Sequence, residues 1–221
     1  MKVNREMVTK AGLALLNEVG LEGLTLRLLA QQLQVQAPTL YWHFKSKEEL
    51  LDEMATAVLA CGAARLLPAR EFADWEVWAM AFGAGLRKLL LAYRDGARMV
   101  AGTRLTNIDY MRVVERIAAL LVEAGFTLRQ AAVLLSTVYN YTVSFVMEEQ
   151  AVYPRPDERS EKYDLAQRSA RMQEAGLPLL RQAGDILFDK FDRRYKEGLT
   201  LIVHGASLQI AEAGAARGRP P

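Results

Sequence analysis

A chain of 221 residues, 51% of them apolar, can bury a core in one large or two small domains. Its 28 basic and 26 acidic side chains leave a formal charge of +2, too even a balance to announce a nucleic-acid partner by itself. A single cysteine, Cys61, excludes an internal disulfide framework and suits a reducing compartment, where it reads as a small helix-packing residue. The N-terminus enters a mixed-charge amphipathic pattern at once, and the most apolar stretch, 77–86, is too short to span a bilayer. A cytoplasmic protein with no membrane partner is expected.

Apolar residues recur at spacings of three and four nearly throughout, and no β-branched alternation competes, which predicts an all-α fold. Asn4 is a good N-cap for a first helix with Ala11, Leu15, Leu16 and Val19 on one stripe, ended by Gly20 and Gly23. Thr25 caps a short second helix to about Leu33, and Pro38 opens a brief third helix ending near Phe44. Ser46-Lys47-Glu48-Glu49 is a capping box for a fourth helix to about Leu67, closed by Pro68. Further helices are predicted over 72–93, 95–101, 107–124 and 128–151, the last opened by a second capping box at Thr127 and Gln130. Residues 153–161 read as a Pro-rich loop, and a short helix over 163–174 is stopped by Gly176 and Pro178. A long final helix begins at Ile186 or Phe188 and runs to about Ala211. The chain therefore divides into a three-helix head over 1–46, a connecting helix over 47–67, a larger helical domain over 68–213 and a disordered tail over 214–221.

On a helical wheel, Leu40 and Phe44 define the buried side of the third helix, and Pro38 and Trp42 face directly away, flanked by Thr39 and Tyr41. Trp42 and Tyr41 either pack against the rest of the chain or touch a partner, because an outward tryptophan is costly to leave in water. Two helices joined by a tight turn, the second short and decorated outward, match a helix-turn-helix. In that reading Pro38, Thr39 and Trp42 offer apolar surface to thymine methyls, Thr39 and Tyr41 offer hydroxyls to phosphates, and His43 offers a donor or is simply solvated. Arg27 is either a bidentate guanine reader or an ordinary surface arginine. Lys45 and Lys47 lie where the free N–H groups of the fourth helix favour a phosphate. Residues 1–47 hold six basic and three acidic side chains, a modest local excess.

The segments Leu24-Thr25-Leu26-Arg27-Leu28-Leu29-Ala30 and Pro38-Thr39-Leu40-Tyr41-Trp42-His43-Phe44-Lys45 resemble the DNA-binding domain of tetracycline-repressor (TetR) family regulators. Tyr93-Arg94-Asp95-Gly96-Ala97-Arg98, Gly102-Thr103-Arg104 and Gly125-Phe126-Thr127-Leu128 extend the similarity to the tetracycline repressors themselves across most of the chain. The resemblance implies a homodimer that binds double-stranded operator DNA as a palindrome when free of ligand, and a ligand-binding and dimerisation domain after the head. It places the DNA contacts on Arg27, Pro38, Thr39, Tyr41, Trp42, His43 and Lys47. Two departures stand out. The family's turn glycine is Gln34, which either adopts a left-handed conformation or changes the turn. The glutamine that often opens the reading helix is Ala37, which bonds no base edge, so a different operator is expected.

Tetracycline repressors hold their drug and its Mg²⁺ with histidine and asparagine, whereas this chain carries Ala63, Phe82 and Val100 at the corresponding positions. Its two histidines, His43 and His204, are not placed to ligate a metal, so no metal site and no cofactor are expected. A hydrophobic, aromatic small-molecule effector other than Mg–tetracycline follows. Its lining is expected from Trp78, Phe82, Leu86, Val100, Thr103, Arg104, Leu135, Tyr139, Thr142 and Glu148, with core packing the other use of each aromatic. Arg104 and Glu148 are informative only if buried. Gly83 and Gly85 either leave room for ligand or allow close helix packing. Surplus apolar faces over 131–147 and 199–210, with His204 among them, point to a subunit interface. No catalytic triad, metal spacing or phosphate loop argues for an enzyme. A family member that activates transcription, or answers to a protein partner, is the alternative.

Overall fold

The computed structural model describes residues 3–66, 74–104 and 107–217. Every regular element among them is helical: α1 (Arg5–Gly23), α2 (Leu26–Gln32), α3 (Ala37–Tyr41), α4 (Lys47–Leu66), α5 (Trp75–Leu91), α6 (Gly96–Val100), α7 (Ile108–Glu123), α8 (Leu128–Val152), α9 (Leu165–Glu174), α10 (Pro178–Gln182), α11 (Gly184–Phe188) and α12 (Phe191–Arg217). The all-α expectation is met. None of the helices is long and apolar enough to cross a membrane.

The starts of these helices follow local chemistry. Asn4 accepts from the Met7 amide, Thr25 from Leu28, and Thr127 and Gln130 form the full reciprocal box. Ser46 accepts from the Glu49 amide, but the Glu49 carboxylate reaches one residue further back, to the Lys45 amide. The ends were less legible. Gly20, at φ 72 and ψ 177, leaves the helical region and kinks α1, whose last turn closes at Gly23, as the two glycines predict. The helix expected to stop before Gly176 and Pro178 does so, α9 ending at Glu174, and Pro178 then opens the short α10, where the first helical position needs no N–H. Residues expected at the head of the last helix form α11, and α12 begins at Phe191. That helix continues to Arg217, into the stretch expected as a tail, whose residues 218–221 lie outside the described residues. Cys61, expected to pack, is exposed on α4.

The chain divides into two compact units, Met1–Ala69 with Gly85–Ile117, and Arg70–Ala84 with Ala118–Pro221. In the first, Val8, Leu16, Leu24, Leu29, Leu40, Phe44, Leu50 and Met54 are sealed from water. Each such side chain contributes about 1.5–3 kcal/mol, and together they hold α1, α2, α3 and the start of α4 as one block. In the second, Phe191, Tyr195, Leu199 and Val203 form a four-residue ladder along α12 that faces Val138, Thr142, Phe145 and Val146 of α8. Gly198 lets α12 approach: a Cβ there would lie 2.2 Å from the Tyr141 hydroxyl.

Candidate nucleic-acid interface and effector residues

The turn between α2 and α3 is tight because Gln34 takes φ 55, the left-handed choice of the two left open by its sequence. For a non-glycine residue this costs about 1–2 kcal/mol, held by backbone bonds from Gln34 to Gln31 and Val35 to Ala30. Beyond it, α3 buries Leu40, and Phe44 closes below, both at 0% exposure. The opposite face is open: Trp42 is 88% exposed and Tyr41 53%. Pro38 is exposed, while Thr39 and His43 are half-buried. The wheel therefore sorts inward from outward residues correctly, and the packing use of Trp42 within this unit is excluded.

Arg27 is exposed near the start of α2. Lys47 is turned inward: its ammonium donates to the Leu21 carbonyl at 2.6 Å, tying α4 to the bend of α1. The other backbone group of Leu21, its N–H, donates to Asp95 Oδ2 at 2.9 Å. Around this point the Arg94 amide donates to Asn17 Oδ1, its guanidinium to the Glu18 carbonyl, and Arg98 pairs with Glu22 and Asp95. The Arg104 amide donates to Asp52 on α4. The head is thus laced to the α5–α6 corner by side chains 52 to 77 residues away in sequence.

The expected effector residues fall in both units. In the first, Leu86 and Val100 are buried, Thr103 donates its hydroxyl to the Val100 carbonyl, and Arg104 is exposed. In the second, Trp78 is buried and stacks on Phe82, ring centroids 5.2 Å apart. Leu135 and Tyr139 are half-buried, and burial pushes the Tyr139 hydroxyl above its ordinary pKa. Thr142 is sealed, donating to the Val138 carbonyl and bonded at 2.7 Å to the Tyr195 hydroxyl, a partner that sequence reasoning did not single out. Glu148 is exposed and paired with Arg194 at 2.6 Å, so neither it nor Arg104 is the buried charge that would have signalled a ligand. Gly83 meets Leu199 and the Tyr195 hydroxyl, which accords with close helix packing. The side chain of Ala63 lies outside the described residues. Among the described residues no cluster of three or more His, Cys, Asp or Glu could hold a metal.

An all-helical chain whose N-terminal helix-turn-helix carries an exposed tryptophan and tyrosine on a short second helix has the build of a DNA-reading regulator. Residues 8–54 match the family described as bacterial regulatory proteins, tetR family, and residues 67–210 match the tetracyclin repressor-like C-terminal domain. The tetracycline repressor protein class A from transposon 1721 of Escherichia coli is 41% identical over 207 residues, 92% of this chain and 90% of that protein. A possible TetR family transcriptional regulator from Streptomyces coelicolor A3(2) superposes with a TM-score of 0.79 at 34% identity, over 93% of this chain and 99% of that one. A single-residue variant of TetR from Acinetobacter baumannii AYE, solved in complex with minocycline, gives 0.74 at 36%, over 94% and 98%. The chain belongs to the TetR family of transcriptional regulators.

Proposed function

We propose that this protein is a cytoplasmic, homodimeric repressor that grips a palindromic operator through α2 and α3 and lets go when a hydrophobic, aromatic small molecule binds. The observation that carries the reading is Trp42, 88% exposed on the face of α3 opposite the fully buried Leu40 and Phe44. With Tyr41 and Pro38 exposed beside it, the indole forms an apolar patch on one face of the helix-turn-helix, which suits contact with a partner. Pro38, Thr39, Tyr41 and His43 surround it, Arg27 stands at the flank, and Lys47 anchors the fourth helix beside them. Residues 1–46 serve as the reading head, 47–67 as the connection, and 68–213 as the effector and dimer domain.

Self-association is supported by apolar surface on α8 and α12. Val133, Leu201 and Leu208 are 52%, 76% and 67% exposed, beside a groove of about 210 Å³ lined by Val133, Leu134, Leu201, Ile202 and Ile210. Two heads related by a two-fold axis read two half-sites, which gives a small head its specificity. For the effector, Trp78 and Phe82 bring aromatic surface and Leu135 and Tyr139 apolar surface in the second unit, and Leu86, Val100 and Thr103 are the candidates in the first. Phe82 and Val100 offer no metal ligand, so Mg–tetracycline is not the effector; adding it should leave operator affinity within about twofold. The lacing of α1 and α4 to the α5–α6 corner is a route by which ligand binding could re-space the heads, provided the ligand prefers one conformer.

The test is selection of duplexes from a random pool by the full-length protein. An inverted repeat with half-sites about one helical turn apart is expected. Recovery of no repeat, or of sequence-independent binding alone, would rule out the reading.

A further inference from the structure

The helix that presents Trp42 is anchored in the core by Leu40 and Phe44, but few polar side chains fix its ends. α3 is five residues long, and its N-cap residue Gln36 makes no side-chain bond to it. A single turn has marginal stability of its own, so its direction is set by those buried anchors together with what grips its ends. At the far end one side chain from α1 does so. The Arg5 guanidinium donates to the His43 carbonyl, to Glu49 Oε1 at 3.0 Å and to Glu53 Oε2 at 2.9 Å, and lies 4.3 Å over the Phe44 ring. The second oxygen of Glu49 accepts from the Lys45 amide at 2.8 Å. One planar cation thus joins the start of α1, the turn after α3 and the first two turns of α4.

We infer that Arg5, which lies outside the helix-turn-helix, is a positioning residue that fixes the angle of the reading helix on DNA. The inference rests on the DNA-reading role proposed above. Arg5 is not itself a phosphate contact, since two carboxylates already occupy its guanidinium. Nor is it a main source of stability. The three side chains are 38–44% exposed, and ion pairs at such sites contribute about 0–1 kcal/mol. Its value lies in geometry, because base reading tolerates errors of only about 0.5 Å or 10–20°. The planar fork reaches a carbonyl, two carboxylates and a ring face together, which a lysine ammonium cannot do.

Two variants separate this role from charge and from folding. Arg5→Lys keeps the cation and loses the fork, and Glu49→Gln removes one negative charge beside the reading face. Affinity is measured for a duplex selected by the wild type and for a scrambled duplex of the same length. Both variants should lose about tenfold for the selected duplex and stay within about twofold for the scrambled one. Thermal midpoints should move by no more than about 2 °C, and the Phe44 and Lys45 amides should exchange faster in the free protein. If charge alone governed, Glu49→Gln would tighten binding to both duplexes, and that result overturns the inference. So does parallel loss on both duplexes by Arg5→Lys, or unchanged amide exchange. A wild type that selects no duplex, with exchange still faster in the variants, sinks the DNA reading and leaves Arg5 a structural clamp.

Discussion

Trp42→Ala is expected to weaken operator binding at least a hundredfold while leaving folding and self-association intact. At 88% exposure the indole makes almost no contribution to the core, so its removal should shift stability by no more than about 0.5 kcal/mol. Buried against DNA, the same surface behaves as an interface anchor, where truncation typically costs about 2 kcal/mol or more. A dimer loses that contribution at both half-sites, and about 4 kcal/mol corresponds to a factor of several hundred. Fluorescence anisotropy with a selected duplex, beside a thermal scan, measures both quantities. Phe44, two residues on and fully buried, should behave oppositely, its truncation costing about 3–5 kcal/mol of stability. Unchanged DNA affinity in the Trp42 variant would remove α3 from the interface.

Gly96→Ala should be the most damaging single methyl in the first unit. A Cβ at Gly96 would stand 2.2 Å from the Leu90 carbonyl oxygen, a backbone atom that cannot swing aside. The residue is held from the other direction by its own N–H, bonded to the Tyr93 carbonyl at 2.9 Å. Relief therefore requires the start of α6 to move, and with it Asp95, whose carboxylate accepts the Leu21 amide. Overpacking of this kind costs about 3 kcal/mol, or about 6–12 °C in thermal midpoint for a chain of this size. Gly102→Ala is the comparison: at φ 77 with open space around it, only backbone strain of about 1–2 kcal/mol applies. Equal midpoints for the two variants would show that the α5–α6 corner yields more easily than its geometry says.

Features governed by neighbours in sequence were legible. Asn4, Thr25 and Thr127 cap where their side chains can reach an amide three residues on. The 100° step between residues separated Leu40 and Phe44 from Trp42 without any structure. Gln34 left two outcomes open, a left-handed residue or a different turn, and the fold takes the first. Features that depend on distant partners were not. Arg5 reads as one more surface cation until α4, 44 and 48 residues later, brings Glu49 and Glu53 to it. The bond of Lys47 to the Leu21 carbonyl in the bend of α1 has no local signal either. Tyr195 gave no sign that its hydroxyl would meet Thr142, because a buried tyrosine's partner is chosen by packing. Gly176 and Pro178 marked the stop of α9 correctly, but nothing local showed that the same proline would also start α10.

As proposed, one protein both grips an operator and releases it on binding a hydrophobic aromatic ligand. The direct measurement is the operator affinity of the full-length protein on its selected duplex. It is titrated with a panel of such compounds and with Mg–tetracycline, each compound's binding to the protein being followed separately. At least one compound that binds the protein should lower operator affinity tenfold or more, about 1.4 kcal/mol of coupling, and Mg–tetracycline should not. Operator affinity unchanged by every compound that binds would contradict it.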